Sequence, residues 1–247
     1  MSSIEQKPSL KDGRDKESTK SDQSLSSAIT AWFRKNYLFV INLLLAIYLF
    51  LPVMAPIFMK TGVNGAGNLI YSIYRPLCHQ LAYRSFFLFG EQSVYPRELA
   101  GIAALKSYEE VTGLDPNDVK SAMAFIGNET LGYKIALCQR DVAIYGSLLL
   151  FGLVFGLGKK KIKPLPWLLW ILLALGPIGL DGFSQLLSQT DLPALAWLLP
   201  RESTPLLRVL TGTMFGWFTA WFGIPSIEEM VNPPAKLINL PPQGTKL

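Results

Sequence analysis

The sequence predicts an all-α integral membrane protein with four transmembrane helices and one outer amphipathic and soluble helical segment. Three observations carry that prediction. Half of the 247 residues are hydrophobic and only 17% are charged, where a soluble domain carries about 25% charged residues. Four mostly apolar runs lie at 37–58, 137–157, 165–187 and 205–225, each close to the ~20 residues a helix needs to cross a bilayer. The basic residues are also unevenly placed: Lys159, Lys160, Lys161 and Lys163 sit together between the second and third runs with no acid among them.

In chain order, residues 1–30 are rich in Ser, Lys, Asp and Glu, which predicts a disordered tail. The membrane domain is expected over 31–231. Its first run (37–58) has Asn42 as its only strongly polar residue, with Pro52 and Pro56 near the far end. The run starts late and lacks a small-residue cleavage pattern, so it reads as a retained span and not as a signal peptide.

The segment 59–136 holds seven basic and seven acidic residues. Residues 66–90 are too polar for a lipid-facing span and predict an amphipathic or partly inserted helix broken near Pro76. Residues 91–134 look soluble. There Asp115 and Pro116 suit a cap and a first helical position for a helix over 119–126, stopped by Gly127-Asn128.

The second run opens with Gln139, Arg140 and Asp141, the third ends with Asp181 and Gln185, and the fourth begins near Arg208. Trp167, Trp170, Trp197, Trp217 and Trp221 fit interfacial belts and packing. Residues 232–247 contain NPP and LPPQG and predict an extended tail. With no internal repeat, an inverted-repeat transporter has no support.

Lys and Arg in short loops stay in the cytoplasm. That places the lysine loop and both termini inside a plasma membrane, and the 59–136 segment outside. The lysines therefore read as a topology signal. A nucleic-acid partner would want a basic surface on a soluble fold and is not expected. The expected partners are the lipid bilayer and a larger membrane complex or a homo-oligomer.

One histidine and two cysteines exclude a zinc ribbon, a haem with two histidine ligands, a four-cysteine iron–sulfur centre and a disulfide scaffold. On this topology the unusual polar residues share one side. They are Cys78, His79, Gln80 and Arg84, then Cys138, Arg140, Asp141 and Tyr145, then Asp181 and Gln185, then Ser203, Thr204 and Arg208. Asp181 and Gln185 are four apart and share a helix face. A buried carboxylate needs a partner, and Arg140 and Arg208 are the expected ones.

Three readings of the cysteines stay open: a Cys78–Cys138 disulfide, two free buried thiols, or a metal site. The metal site would draw on Cys78, His79, Cys138 and Asp141 and hold a zinc-like ion. Adjacent Cys78 and His79 rarely ligate one ion together, since neighbours on a helix diverge by about 100°. No GxSxG, HExxH or glycine-rich phosphate loop is present.

Four pieces in order, LCHQLAYRSFFLFG (77–90), ALCQRDVAIYGS (136–147), GPIGLDGFSQLL (176–187) and ESTPLLRVLTGTMFG (202–216), resemble an uncharacterised bacterial and archaeal membrane family, domain of unknown function 2085. The chain departs from that family's pattern at Asp141, which stands where a second knuckle cysteine is expected, and at Ala143, which stands for a glycine. The resemblance implies that Cys78, His79, Cys138, Arg140, Asp181, Gln185, Arg208 and Gly212 form one functional cluster. It implies no activity. The expected function is a membrane-embedded binding or accessory protein whose polar cluster takes a ligand, ion or head group from outside. The alternative is a metal-dependent membrane enzyme acting on a lipid or quinone, with Asp181 moving a proton.

Overall fold

The computed structural model describes residues 10–190 and 200–233, with side chains from residue 26 onward. The protein is mostly helical. Three helical stretches among the described residues are long and apolar enough to cross a membrane: Ser26–Lys60, Gln139–Leu157 and Trp167–Ser188.

α1 (Leu10–Lys60) runs unbroken past Pro52 and Pro56. Residues 10–30 are therefore helical, where a disordered tail was expected over 1–30; residues 1–9 lie outside the described residues. Lys and Glu are good helix formers, and extending a helix already nucleated by an apolar span costs little.

α2 (Asn64–Tyr74) follows a three-residue connection and buries Ile70, Tyr71 and Tyr74. It stops at Tyr74; Arg75 still has helical backbone angles and bonds back to Tyr71, and Pro76, which has no N–H, ends the ladder. The rest of 66–90 is not helix. Ser85–Leu88 form strand β1, which pairs antiparallel with β3 (Gly132–Cys138), and β3 also pairs with β2 (Gly127–Asn128). This three-stranded sheet, in the order β1-β3-β2, corrects the all-α expectation. Short apolar runs such as SFFL and GYKIALC do not reveal helix or strand by periodicity.

Gly132 has φ +76° and passes so close to the backbone of Leu88 and Gly90 that a side chain there would collide with it.

Between the strands lie two short helices, α3 (Tyr108–Thr112) and α4 (Val119–Ala124). The cap of α4 is Asp118, not Asp115. Asp118 Oδ1 accepts from the amides of Lys120 and Ser121 at 3.1 and 3.3 Å, while Asp115 turns the chain one step earlier by accepting from Asn117. The helix ends at Ala124, two residues short of the expected 126, with Phe125 already extended, and Gly127-Asn128 form β2. Tyr83, Phe87, Tyr95, Tyr108, Ala122 and Leu131 make the core of this subdomain.

β3 leads directly into α5 (Gln139–Leu157), so that span starts two residues later than the 137 predicted. The third span comprises α6 (Trp167–Trp170), a π-helical turn over Ile171–Leu175, and α7 (Gly176–Ser188). The cause is Pro177, which has no N–H to continue the ladder. The amide of Gly176 instead bonds five residues back to Ile171.

α8 (Pro205–Val231) passes Pro225 and continues six residues beyond the predicted end. Residues 191–199, including Trp197, and 234–247 lie outside the described residues.

The bundle has two distinct ends. At one end Lys160 pairs with Glu228 at 2.9 Å, and the hydroxyl of Tyr37 donates to the same carboxylate at 2.5 Å. The sheet caps the other end. Between them Leu44, Ile47, Phe50, Leu150, Leu172 and Leu186 are exposed, the pattern expected where lipid, not water, covers a helix.

Lys134 on β3 is fully buried beside α2, and its ammonium donates to the carbonyls of Gln80 and Met123 at 2.7 and 2.8 Å. Burial, with Arg75 adding repulsion, pushes it down to about 7. The unfolded value is about 10.4. Between the two the unfolded chain holds more protons, so stability rises with pH from about 7 upward. Below 7 lysine is protonated in both states and adds no slope. Unfolding measured at pH 7, 8 and 9 should show this rise, by at most about 1.4 kcal/mol per pH unit. Lys134→Met removes it; an equal slope in the variant would contradict the assignment.

Candidate functional site

Two buried carboxylates organise the sheet-capped end. Asp181 sits on α7 with Gln185 one turn later, and both point inward. Asp181 Oδ2 meets Arg140 Nη2 at 2.5 Å and accepts from the Ser203 hydroxyl at 2.7 Å, while Oδ1 takes Arg201 Nη2 at 3.0 Å. Glu202 lies just before α8. Its Oε1 binds Arg84 Nη2 at 2.8 Å and also Arg208, and its Oε2 accepts from Gln185 Nε2 at 2.9 Å, with Arg97 Nη1 at 3.7 Å. Thr204 caps α8 by accepting from the amide of Leu207.

Of the predicted partners, Arg140 does pair with Asp181. Arg208 does not; it turns to Glu202, six residues earlier in its own chain segment. Charged pairs at such depth persist when each oxygen is also hydrogen-bonded, as here. Glu202, Arg201 and Arg97 were missed by sequence reasoning. Glu202 had a readable signal: an acid flanked by Arg201 and Ser203 just before the fourth apolar run. Arg97 had none, because its approach depends on the fold of residues 91–134.

A cavity of about 700 Å³ opens beside this network. Its lining includes Cys78, His79, Gln80, Arg84, Arg97, Cys138, Arg140 and Asp141, with Leu77 and Val119 at exposed positions. Gln80 helps shape it: the residue has φ +52°, its side chain donates to the Tyr71 carbonyl at 2.9 Å, and Lys134 holds its own carbonyl. Among the charged side chains that line the cavity, three are arginines and one is a carboxylate.

Cys78 and Cys138 are both free thiols, so the disulfide reading does not describe this structure. They are nevertheless close: the amide of Cys138 donates to Cys78 Sγ at 3.3 Å, and Cys138 Sγ accepts from the amide of Asp141 at 3.5 Å, capping α5. The adjoining Cys138 thiol, with burial behind it, pushes the Cys78 thiol up, while Cys78 holds Cys138 below the usual thiol range against its own burial. The two sulfurs and an Asp141 oxygen lie within 4.8 Å of one another. His79 is exposed on the cavity wall and does not join that cluster.

Tyr145 also stands apart, its ring tilted against that of Tyr48 of α1 at 4.4 Å between ring centres. Gly212 has a packing role: a Cβ there would press on the Arg140 carbonyl.

The fold and this site define a helical membrane protein with an arginine-lined cavity at one end of its spans. The family described as "Predicted membrane protein (DUF2085)" matches residues 129–222, which agrees with the resemblance read from the motifs. An uncharacterized protein of Methanocaldococcus jannaschii is 26% identical over 207 residues, covering 80% of this chain and 96% of the relative. No solved structure matches the chain.

Proposed function

We propose that this is a four-span membrane protein that binds the anionic head group of a membrane lipid, a phosphate or carboxylate, in its arginine-lined cavity at the outer face. The observation that carries the reading is the lining: Arg84, Arg97 and Arg140 reach the cavity, whose lining has Asp141 as its carboxylate, while their counter-charges Glu202 and Asp181 lie behind the wall. Guanidinium forks suit phosphate and carboxylate oxygens, and about 700 Å³ lies within the ~300–1,000 Å³ of small-molecule sites.

A lipid is favoured over a soluble anion by what surrounds the cavity. Leu69 and Ile73 on α2, Leu77 just beyond it and Val119 are all exposed, giving acyl chains an apolar approach. α8, with 27 residues, reaches roughly 40 Å at 1.5 Å per residue, enough to serve as the fourth span. The lysine loop at the opposite end supports a cytoplasmic assignment for that end, which turns the cavity outward and leaves both termini inside.

The test is equilibrium binding of short-chain, micelle-free phosphatidic acid and phosphatidylcholine to the purified protein. The phosphatidic acid is expected to bind at least about 10-fold more tightly, the equivalent of one charge-assisted hydrogen bond. Equal affinities would overturn the reading. Inorganic phosphate that binds as tightly as the lipid would make the occupant a soluble anion and overturn its lipid part.

A further inference from the structure

We propose that Cys78, Cys138 and Asp141 together hold one zinc-like divalent cation on the wall of this cavity, leaving a fourth coordination position open toward the arginines.

Four observations converge on it. The three ligand atoms already lie within 4.8 Å of one another. Ligands at tetrahedral zinc, about 2.0–2.3 Å from the metal, stand roughly 3.3–3.8 Å apart, so small side-chain rotations close the site. Each sulfur also accepts a backbone N–H, Cys78 from residue 138 and Cys138 from residue 141. Such bonds orient metal thiolates and stabilise their charge.

Cys138 occupies a helix N-cap, where Ser, Thr, Asp or Asn would cap better, so capping does not call for a thiol there. Finally, Asp141 forms no salt bridge to any Lys or Arg among the described residues, although Arg140 beside it does pair with Asp181. Its carboxylate is left for another cation.

The charges are consistent. Two thiolates, one carboxylate and a dication sum to one negative charge, facing Arg84, Arg97 and Arg140 across the cavity. Binding releases the thiol protons to solvent, and no bond between heavy atoms is broken. The site stands whether or not the cavity takes an anion. In contrast to the reading from sequence, His79 is not a ligand.

The experiment loads the full-length protein with Zn²⁺ or Co²⁺ after chelation. The expected result is one metal per chain, with a thiolate-to-cobalt charge-transfer band. Cys78→Ser and Cys138→Ser abolish the band, Asp141→Asn weakens binding by about 10-fold or more, the range that loss of even an outer-shell partner reaches, and His79→Ala changes nothing. Cys138→Ser retains a capping side chain, and the unfolding midpoints of metal-free variants and metal-free wild type report whether the fold survives. As a second readout on the unmodified chain, Zn²⁺ should protect both thiols from alkylation. Substoichiometric metal, a band that survives both cysteine changes, unprotected thiols, or an equal loss in His79→Ala would each overturn the proposal. Phosphatidic acid binding measured in chelator separates this outcome from that of the lipid reading.

Discussion

Glu202→Ala will destabilise the protein by about 3–5 kcal/mol, the range for removing one partner of a buried ion pair. The Glu202 and Arg208 side chains are 1% and 3% exposed, so water cannot replace the lost carboxylate. Arg208 also sits in the first turn of α8, where the positive end of the helix dipole opposes a cation. Glu202 offsets both costs, while holding Arg84 at 2.8 Å and the Gln185 amide at 2.9 Å. Its removal leaves Arg208 buried without a counter-charge and frees the donors of Arg84 and Gln185. Reversible unfolding in mixed micelles is the measurement. Glu202→Gln, which keeps the shape and one acceptor oxygen, should lose clearly less than alanine. A loss below about 1 kcal/mol for alanine, the size expected of a surface pair, would show that the network does not hold this end together.

Gly216→Val should cost at least about 3 kcal/mol, at the upper end of overpacking penalties. α5 and α8 pack closely along their length, and a Cβ at Gly216 would sit on the carbonyl of Ile144 and the hydroxyl of Ser147. Backbone cannot yield as the end of a flexible side chain does, so the helices must part. This contact rests on small residues, as helix packing in membranes commonly does. Because α5 carries Arg140 and α8 carries Arg208, separating them also disturbs the cavity. The comparison that isolates packing is Gly223→Ala on the same helix: no atom lies within 4 Å of its Cβ position, and alanine is the better helix former by about 1 kcal/mol. Gly223→Ala should therefore be neutral or stabilising. Equal losses for the two variants would contradict the close α5–α8 contact.

What could be read in advance follows from how locally each feature is encoded. The apolar runs appear as helices because roughly 20 consecutive apolar residues state their own environment. The pairing of Asp181 with Arg140 was readable because a carboxylate after a long apolar run requires a cation at the same depth. Convergence of Cys78 and Cys138 belonged to two of the three readings left open, the disulfide and the metal site, and the structure brings them together as free thiols. The sheet was not legible, since SFFL and GYKIALC are each too short to display a period and pair only across some 45 intervening residues. Lys134 looked like one more soluble charge; only the packing of β3 against α2 makes it buried. Arg97 joined the site through long-range folding, and His79, the most conspicuous residue in the composition, ends on the cavity wall apart from the thiols.

The central claim is that the arginines of the cavity read the charge of a lipid head group. It is tested most directly by the ratio of phosphatidic acid to phosphatidylcholine affinity in wild type and in Arg84→Gln/Arg97→Gln. A preference for phosphatidic acid in the wild type that falls by about 10-fold or more in the double variant, with phosphatidylcholine affinity unchanged, is the predicted result. A ratio that is the same in both proteins would contradict it.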